Sequence, residues 1–420
     1  MSYISQKQDT AILVGFSTEL NTDAIMESLD ELERLAQTLS IKSLHKLPQH
    51  GQIASARTLI GSGKVSEIKR LIDIDDIDMV IFDDQLTPAQ LRNLEQDLQT
   101  QVFDRSFLIL SIFAERAQSK ESRLEVALAQ KKYMISRLIG MRASLSRQGG
   151  GSYNAKGPGE TKLELDRRKV LTDMSTIKRQ LDKIKKEKQT SRKLRQHHQM
   201  KTVALVGYTN AGKSSLMNLM VRQYSLLEHE TLEADLLFST IDTKAKKITY
   251  QDHRPYLLID TVGFISKLPT ELVQSFETTL EDAIHADLIL HLIDGTTLNN
   301  TQVETTEHIL EKLEASNIPK LYVVTKRDLL KEPPHFEKPY IYISSKTGEG
   351  LDILMQAINE TLYASYQVFN FNIPFSKMDV YNKLKTRYFV LNETYTDDGI
   401  TIKVYLDPAH IKPYTGYLLT

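Results

Sequence analysis

One stretch constrains the fold of this chain more than any other: Gly207-Tyr208-Thr209-Asn210-Ala211-Gly212-Lys213-Ser214. It fits Gly-x-x-x-x-Gly-Lys-[Ser/Thr] at every fixed position. Its flanks fit as well. Thr202-Val203-Ala204-Leu205-Val206 reads as a buried strand, and Ser214 to Tyr224 as a helix. A glycine-rich turn between strand and helix surrounds phosphate oxygens with backbone N–H groups and the positive end of the helix. Lys213 then reaches toward the β- and γ-oxygens, and Ser214, followed by Ser215, is placed to ligate Mg2+. Strand, loop and helix in this order belong to a parallel sheet, so the expected fold class is α/β.

The alternation continues over residues 201–365. Strands are expected at Thr202–Val206, Tyr256–Ile259, Leu288–Ile293, Lys320–Val324 and Tyr340–Ile343, and helices near Ser214–Tyr224, Glu271–His285, Thr301–Ser316 and Leu351–Tyr363. That pattern is a mostly parallel sheet with helices on both faces, and it places a ligand at the carboxyl ends of the strands.

Three further segments flank this domain. Residues 1–118 read as a small α/β domain, with strands at Thr10–Phe16 and Ile77–Phe82 and helices at Asp23–Leu39 and Pro88–Leu98. Within it Gly61-Ser62-Gly63-Lys64-Val65 echoes a phosphate loop weakly. Thr58 stands where the first glycine belongs, and Val65 replaces the hydroxyl residue, so a turn opening a helix is the better reading. Residues 119–200 carry two heptad seams: Leu124, Leu128, Lys131, Ile135, Leu138, Arg142 and Leu145, then Leu163, Arg167, Val170, Met174, Ile177, Leu181, Ile184 and Lys188. The glycine-rich run 148–159 between them cannot continue a helix. An antiparallel helical hairpin follows, its first arm about 30 Å long, with a polar loop at its tip. Residues 366–420 read as a small α+β tail, with strands near Val368–Phe371, Arg387–Asn392 and Ile400–Tyr405 and a helix from Ser376 to Leu384.

The hairpin tip is the candidate RNA contact, through Arg142, Arg147, Gln148, Tyr153 and Lys156. A slim arm with a basic tip suits insertion into a crevice of a polyanion. The second arm ends in a cationic stretch, from Lys178 to Lys201, which suits phosphate contacts through counterion release and equally a solvated helix face. The net charge of the 420 residues is −1, so the molecule as a whole is no polyanion binder and any basic surface is local. With no cysteine there is no disulfide framework and no thiolate metal site. The first residues lack the apolar core of a signal peptide, and no apolar run is long enough to span a bilayer. A cytoplasmic monomer is expected, with peripheral attachment to anionic lipid as a weaker alternative.

A phosphate loop alone does not name the base. Asp260-Thr261-Val262-Gly263 follows a strand and fits Asp-x-x-Gly, in which the aspartate holds Mg2+ through water and the glycine N–H meets the γ-phosphate. Thr325-Lys326-Arg327-Asp328 fits [Asn/Thr]-Lys-x-Asp, in which the carboxylate accepts from N1–H and N2–H of guanine, an edge adenine cannot present. Ser344-Ser345-Lys346 is placed to close over guanine O6 with backbone N–H groups. In Phe238-Ser239-Thr240-Ile241-Asp242, Thr240 is the candidate second Mg2+ ligand, free to leave when the γ-phosphate goes. The order and spacing of these elements predict GTP binding and hydrolysis, with Lys213, Thr240 and Gly263 at the reacting phosphate.

Two departures are informative. Thr325 replaces the more usual Asn, and its shorter side chain is expected to lose a contact between the guanine loop and the phosphate loop. Phe264 follows Asp-x-x-Gly, where many GTPases place a Gln that orients the attacking water. Slow intrinsic hydrolysis is therefore expected. Asn210 raises K+ as a second cation, since potassium-stimulated GTPases of the TrmE and Era type carry an Asn there.

The chain resembles the HflX-type GTPases of the Obg–HflX group over most of its length. The most specific carriers are Ser146-Arg147-Gln148-Gly149-Gly150-Gly151, Gly157-Pro158-Gly159-Glu160-Thr161-Lys162-Leu163-Glu164 and Asp166-Arg167-Arg168. Phe238–Asp242 resembles the family's switch I; Asp260–Ile265 with Leu268-Pro269 and Leu272-Val273 resembles its switch II. The resemblance implies a GTPase that binds the large ribosomal subunit, is stimulated by it, and splits or rescues stalled ribosomes under stress, with the hairpin tip near the peptidyl-transferase region. A GTP-gated ribosome-assembly factor and an RNA-modification GTPase are the alternatives.

Overall fold

The computed structural model describes residues 8–19, 22–148, 158–197, 200–224, 244–250, 255–261, 263–267, 284–298 and 300–419. They fall into two compact units, one built mainly on residues up to 183 and the other on residues from 184 onward.

The first unit opens with β1 (Thr10–Ser17), α1 (Thr22–Thr38), β2 (Lys42–His50), α2 (Ser62–Asp75), β3 (Met79–Phe82), α3 (Pro88–Leu98), β4 (Gln101–Asp104) and α4 (Arg105–Arg116). The strands form a parallel sheet in the order β2-β1-β3-β4. Ala11, Ile12, Leu13 and Val14 of β1 are fully buried, as a strand covered on both faces requires. Thr87 closes a capping box with Gln90 at the start of α3, and Asp104 caps α4 through the Phe107 N–H. Arg105 is buried between two carboxylates, each at 2.6 Å: Asp83 and Glu31. Burial works to raise the Asp83 carboxyl, but the charge of Arg105, followed by that of Lys267, overcomes it and holds the group below the usual carboxylate range.

Sequence patterning misses β2, β4 and α4. The first is an edge strand, Lys-Ser-Leu-His-Lys-Leu-Pro-Gln-His, whose polarity and proline suit an unpaired edge and hide it from an apolar-run criterion. The second is four residues long and runs directly into its helix.

Both arms of the hairpin are helical: α5 (Lys120–Gln148) and α6 (Pro158–His197). Twenty-nine residues make α5 about 44 Å long, longer than the seam implied. Lys131 and Asp173 pair across the arms at 2.7 Å, an antiparallel match about equally far from the turn. The start of α5 does more than form a seam. Val126 and Ala129, off the heptad positions, are buried where α5 meets α3 and α4, and Tyr133 donates to Asp104 at 2.8 Å.

The second unit carries β5 (Lys201–Gly207), α7 (Lys213–Tyr224), β6 (Lys244–Ile248), β7 (Tyr256–Asp260), β8 (Leu288–Asp294), α8 (Asn300–Lys312), β9 (Lys320–Thr325), β10 (Tyr340–Tyr342) and α9 (Leu351–Leu362). Its six-stranded sheet runs β10-β9-β8-β5-β7-β6, with β6 alone antiparallel. The lysine-rich sequence of β6 fits an edge and is not recognisable as a strand in isolation. The core joins Val203, Leu205, Leu258 and Leu290 of the strands to Leu216 and Met220 of α7 and Leu354 and Ile358 of α9. The helix expected over Glu271–His285 lies outside the described residues apart from its last two.

The tail holds β11 (Gln367–Pro374), α10 (Met378–Arg387), β12 (Phe389–Tyr395) and β13 (Gly399–Leu406), an antiparallel sheet in the order β11-β13-β12. Ile400, Ile402, Val404 and Leu406 alternate into its core beside Phe371 and Ile373. Among the described residues no helix is long and apolar enough to cross a membrane.

Candidate nucleotide site

The central strand β5 delivers the chain to the phosphate loop at the carboxyl edge of the sheet. Gly207 ends it at φ 157°, where a Cβ would lie 2.3 Å from the Leu292 carbonyl oxygen; only glycine fits between these strands. Asn210 and Gly212 take left-handed backbone at φ 62° and 85° to complete the turn into α7. Lys213 opens that helix with its side chain turned back under the loop, donating to the carbonyls of Gly207 at 2.9 Å and Tyr208 at 2.7 Å. It is only 6% exposed. Burial pushes its ammonium down to about 8, and the nearby Asp260 carboxylate opposes that.

Strand β7 ends at Asp260, whose Oδ2 accepts from Ser214 Oγ at 3.0 Å. Thr261 donates to the Leu205 carbonyl at 2.7 Å and ties the two strand ends together. A carboxylate and a hydroxyl side by side form a hard oxygen donor set of the kind Mg2+ takes, so these residues fit that ion. Gly263 lies close against the loop. A Cβ on it would stand 2.9 Å from both Lys213 Nζ and Thr209 Cα. Phe264 is 2% exposed, and its side chain carries no group that could orient water.

The guanine-reading segment follows β9. Lys326 sits at φ 61° and donates to Asp294 Oδ2 at 2.7 Å. Asp328 Oδ1 accepts from Ser344 Oγ at 2.7 Å, which links it to the loop after β10. The Ser344 amide is engaged by the Glu349 carbonyl at 3.0 Å, Ser345 is half-buried and Lys346 exposed. Arg327 lies over Tyr342, 5.1 Å from the ring centre, and pairs with Glu349 at 2.7 Å.

Thr325 corrects an expectation. Its Oγ1 lies 3.0 Å from the Ala211 carbonyl of the phosphate loop and 3.1 Å from the Ile293 carbonyl. The contact between guanine loop and phosphate loop is therefore made, and the shorter side chain reaches because the two backbones approach closely. A hydroxyl has one proton, so it serves the two carbonyls alternately. Thr325→Ala should weaken GDP binding by roughly three- to tenfold, the worth of one buried hydrogen bond. Fluorescence titration with labelled GDP checks this, and an unchanged affinity would show that the tie contributes nothing.

Gly207 to Ser214, Asp260, Thr261 and Gly263 are brought together, as are Thr325 to Asp328 and Ser344. Phe238, Ser239, Thr240, Ile241, Asp242 and Val262 lie outside the described residues, as do Tyr153 and Lys156. Arg142, Arg147 and Gln148 fall in the last turns of α5. The weak second loop, Gly61 to Val65, opens α2 as expected of a turn. Lys64 pairs with Glu67 at 2.8 Å, and a surface cavity of about 650 Å³ lies nearby, lined by Arg57, Ser62 and Lys69 among others. Sequence reasoning missed Asp294, which orients Lys326. Its signal is position: it ends β8 at the carboxyl edge of the sheet, the edge where such folds bind ligands.

A parallel sheet with a phosphate loop, a following aspartate and a Lys-x-Asp turn at one edge defines a phosphate-loop GTPase. Three family models match in chain order: GTP-binding GTPase N-terminal over residues 26–114, GTP-binding GTPase Middle Region over 116–195, and 50S ribosome-binding GTPase over 202–326. GTPase HflX of Caldanaerobacter subterraneus subsp. tengcongensis is 40% identical over 404 residues, covering 96% of this chain and 92% of that protein. GTPase HflX of Lacrimispora saccharolytica is 36% identical, over 96% of this chain and 95% of its own length. That of Escherichia coli is 35% identical, over 88% and 86%. The chain belongs to the HflX family of GTPases, binds guanine nucleotides and hydrolyses GTP.

Proposed function

We propose that this GTPase acts on the large ribosomal subunit, docking in the GTP state, dissociating or rescuing stalled ribosomes under stress, and leaving after hydrolysis. The observation that carries the reading is Phe264. A buried phenylalanine stands where a water-orienting group is usual, and its backbone is engaged by the phosphate loop. A chain so equipped hydrolyses GTP slowly until a partner supplies what it lacks. The description of the matched family model, a 50S ribosome-binding GTPase, supports the large subunit as that partner. The long helical hairpin supports it too, since its tip carries the candidate RNA contacts Arg142, Arg147, Gln148, Tyr153 and Lys156.

In this reading Lys213 and the backbone of Gly207 to Ser215 hold the phosphates, and Gly263 senses the γ-phosphate. Lys326 and Asp328 read guanine, and Ser344, Ser345 and Lys346 close over O6. Ser214 and Thr240 would hold Mg2+ directly and Asp260 through water, and the ion would there neutralise phosphate charge. Asn210 offers an oxygen for K+. The chain works as four parts, residues 1–118, 119–200, 201–365 and 366–420, as a cytoplasmic monomer.

Turnover of GTP by the purified protein, with and without large subunits, tests the reading. Stimulation of about a hundredfold or more is expected, because an externally supplied catalytic group is worth about that much or more. An unchanged slow rate would remove the ribosome from the proposal.

A further inference from the structure

The phosphate loop and the segment after Asp260 hold each other in a way the nucleotide roles above do not use. Strands β5 and β7 pair in parallel up to Leu205 opposite Asp260. Continued in register, Tyr208 would face Gly263. It faces Phe264 instead, in an isolated bridge one residue further on. Two backbone bonds make that bridge: Thr209 N–H to the Phe264 carbonyl at 2.7 Å, and Phe264 N–H to the Gly207 carbonyl at 3.1 Å. A third bond comes from a side chain. The Ser266 N–H donates to the Tyr208 hydroxyl at 2.5 Å, and the Tyr208 side chain is buried to 7% exposure. Gly263 is thereby pressed against Lys213 and Thr209.

We propose that Tyr208 is a positioning residue that locks the segment from Gly263 to Ser266 onto the phosphate loop in a resting register, which the γ-phosphate must release. The argument rests on donors. A Thr209 N–H aimed at the Phe264 carbonyl cannot also face a phosphate oxygen with good geometry. A third phosphate, met by Gly263 on the reading above, would approach this same segment and so compete with the lock. Of the three bonds, only that of Tyr208 depends on a side chain, so Tyr208 sets how firmly the lock holds. The inference rests on the reading of Gly263 as the γ-phosphate sensor.

Tyr208→Phe keeps the ring and removes only the hydroxyl, with its acceptor and donor roles together. Full-length protein is titrated with labelled GDP and with a labelled non-hydrolysable GTP analogue, and the GDP-bound melting temperature is recorded. The expected result is a rise of about three- to tenfold in the ratio of analogue affinity to GDP affinity, the loss of one hydrogen bond from the locked state. A residue of purely structural importance would move both affinities together. An unchanged ratio, a fall in analogue affinity, or a parallel change in both would overturn the assignment of Tyr208. Should the parent protein bind analogue and GDP alike while Gly263→Ala leaves that equality intact, the Gly263 reading fails, and this inference with it.

Discussion

Replacing Lys213 by alanine should lower GTP turnover by about a hundred- to a thousandfold or more, the scale for removing a preorganised charge from a reacting centre. Its stability should not fall in parallel. The ammonium is buried between two carbonyls, with burial lowering it to about 8 against 10.5 for a free lysine side chain. Between those values the unfolded chain holds more protons than the folded one. The nucleotide-free protein therefore gains stability as pH rises through about 8 toward 10.5, and below that window the buried charge weighs against folding. The alanine variant lacks this charge. Its nucleotide-free melting temperature at pH 7 should equal or exceed the parent's, and the rise of stability above pH 8 should be smaller. Turnover within tenfold of the parent would remove Lys213 from the reaction. A much lower melting temperature would mean that its two hydrogen bonds outweigh the burial of its charge.

The second large effect concerns the base. Asp328→Asn should exchange a preference for GTP against one for xanthosine triphosphate. Guanine offers N1–H and an amino group to the carboxylate. Xanthine offers N1–H and a carbonyl, which an asparagine amide matches. Each mismatched buried contact costs about 1–3 kcal/mol, so the ratio of the two affinities should move by roughly a hundredfold or more. The variant should fold normally, because the bond from Ser344 Oγ ends on Oδ1, an oxygen that asparagine keeps. Competition between the two triphosphates for the same protein decides the matter, and a retained preference for GTP would place guanine recognition elsewhere.

How much of this was legible beforehand follows from where the information sits. Strands β5, β8 and β9 are runs of apolar residues because both faces of a parallel sheet are covered, and such runs stand out in a sequence. The phosphate loop is legible for a related reason: a backbone cradle restricts nearly every position in a short contiguous stretch. Strands β2 and β6 were not, because an edge strand is specified by the neighbour it pairs with, and its own residues are chosen to be polar. Asp294, Thr325 and the Tyr208 hydroxyl were missed or misjudged for a third reason. Each acts on a group far away in sequence or on a backbone atom, as Thr325 does on Ala211, 114 positions earlier. No local pattern carries that distance. Thr325 shows the danger of reasoning by side-chain length alone, since what decided the contact was how near two loops come.

That short threonine has a consequence for how tightly the two halves of a nucleotide are held together. Its hydroxyl links the loop that grips phosphate to the strand end from which the base is read. The two grips thus behave as one bidentate clamp, each raising the effective concentration of the other. Guanosine alone and pyrophosphate alone should each bind far more weakly than a share of the GDP affinity would suggest. A guanine nucleotide already held at one end has little chance to drift away before the other end is caught.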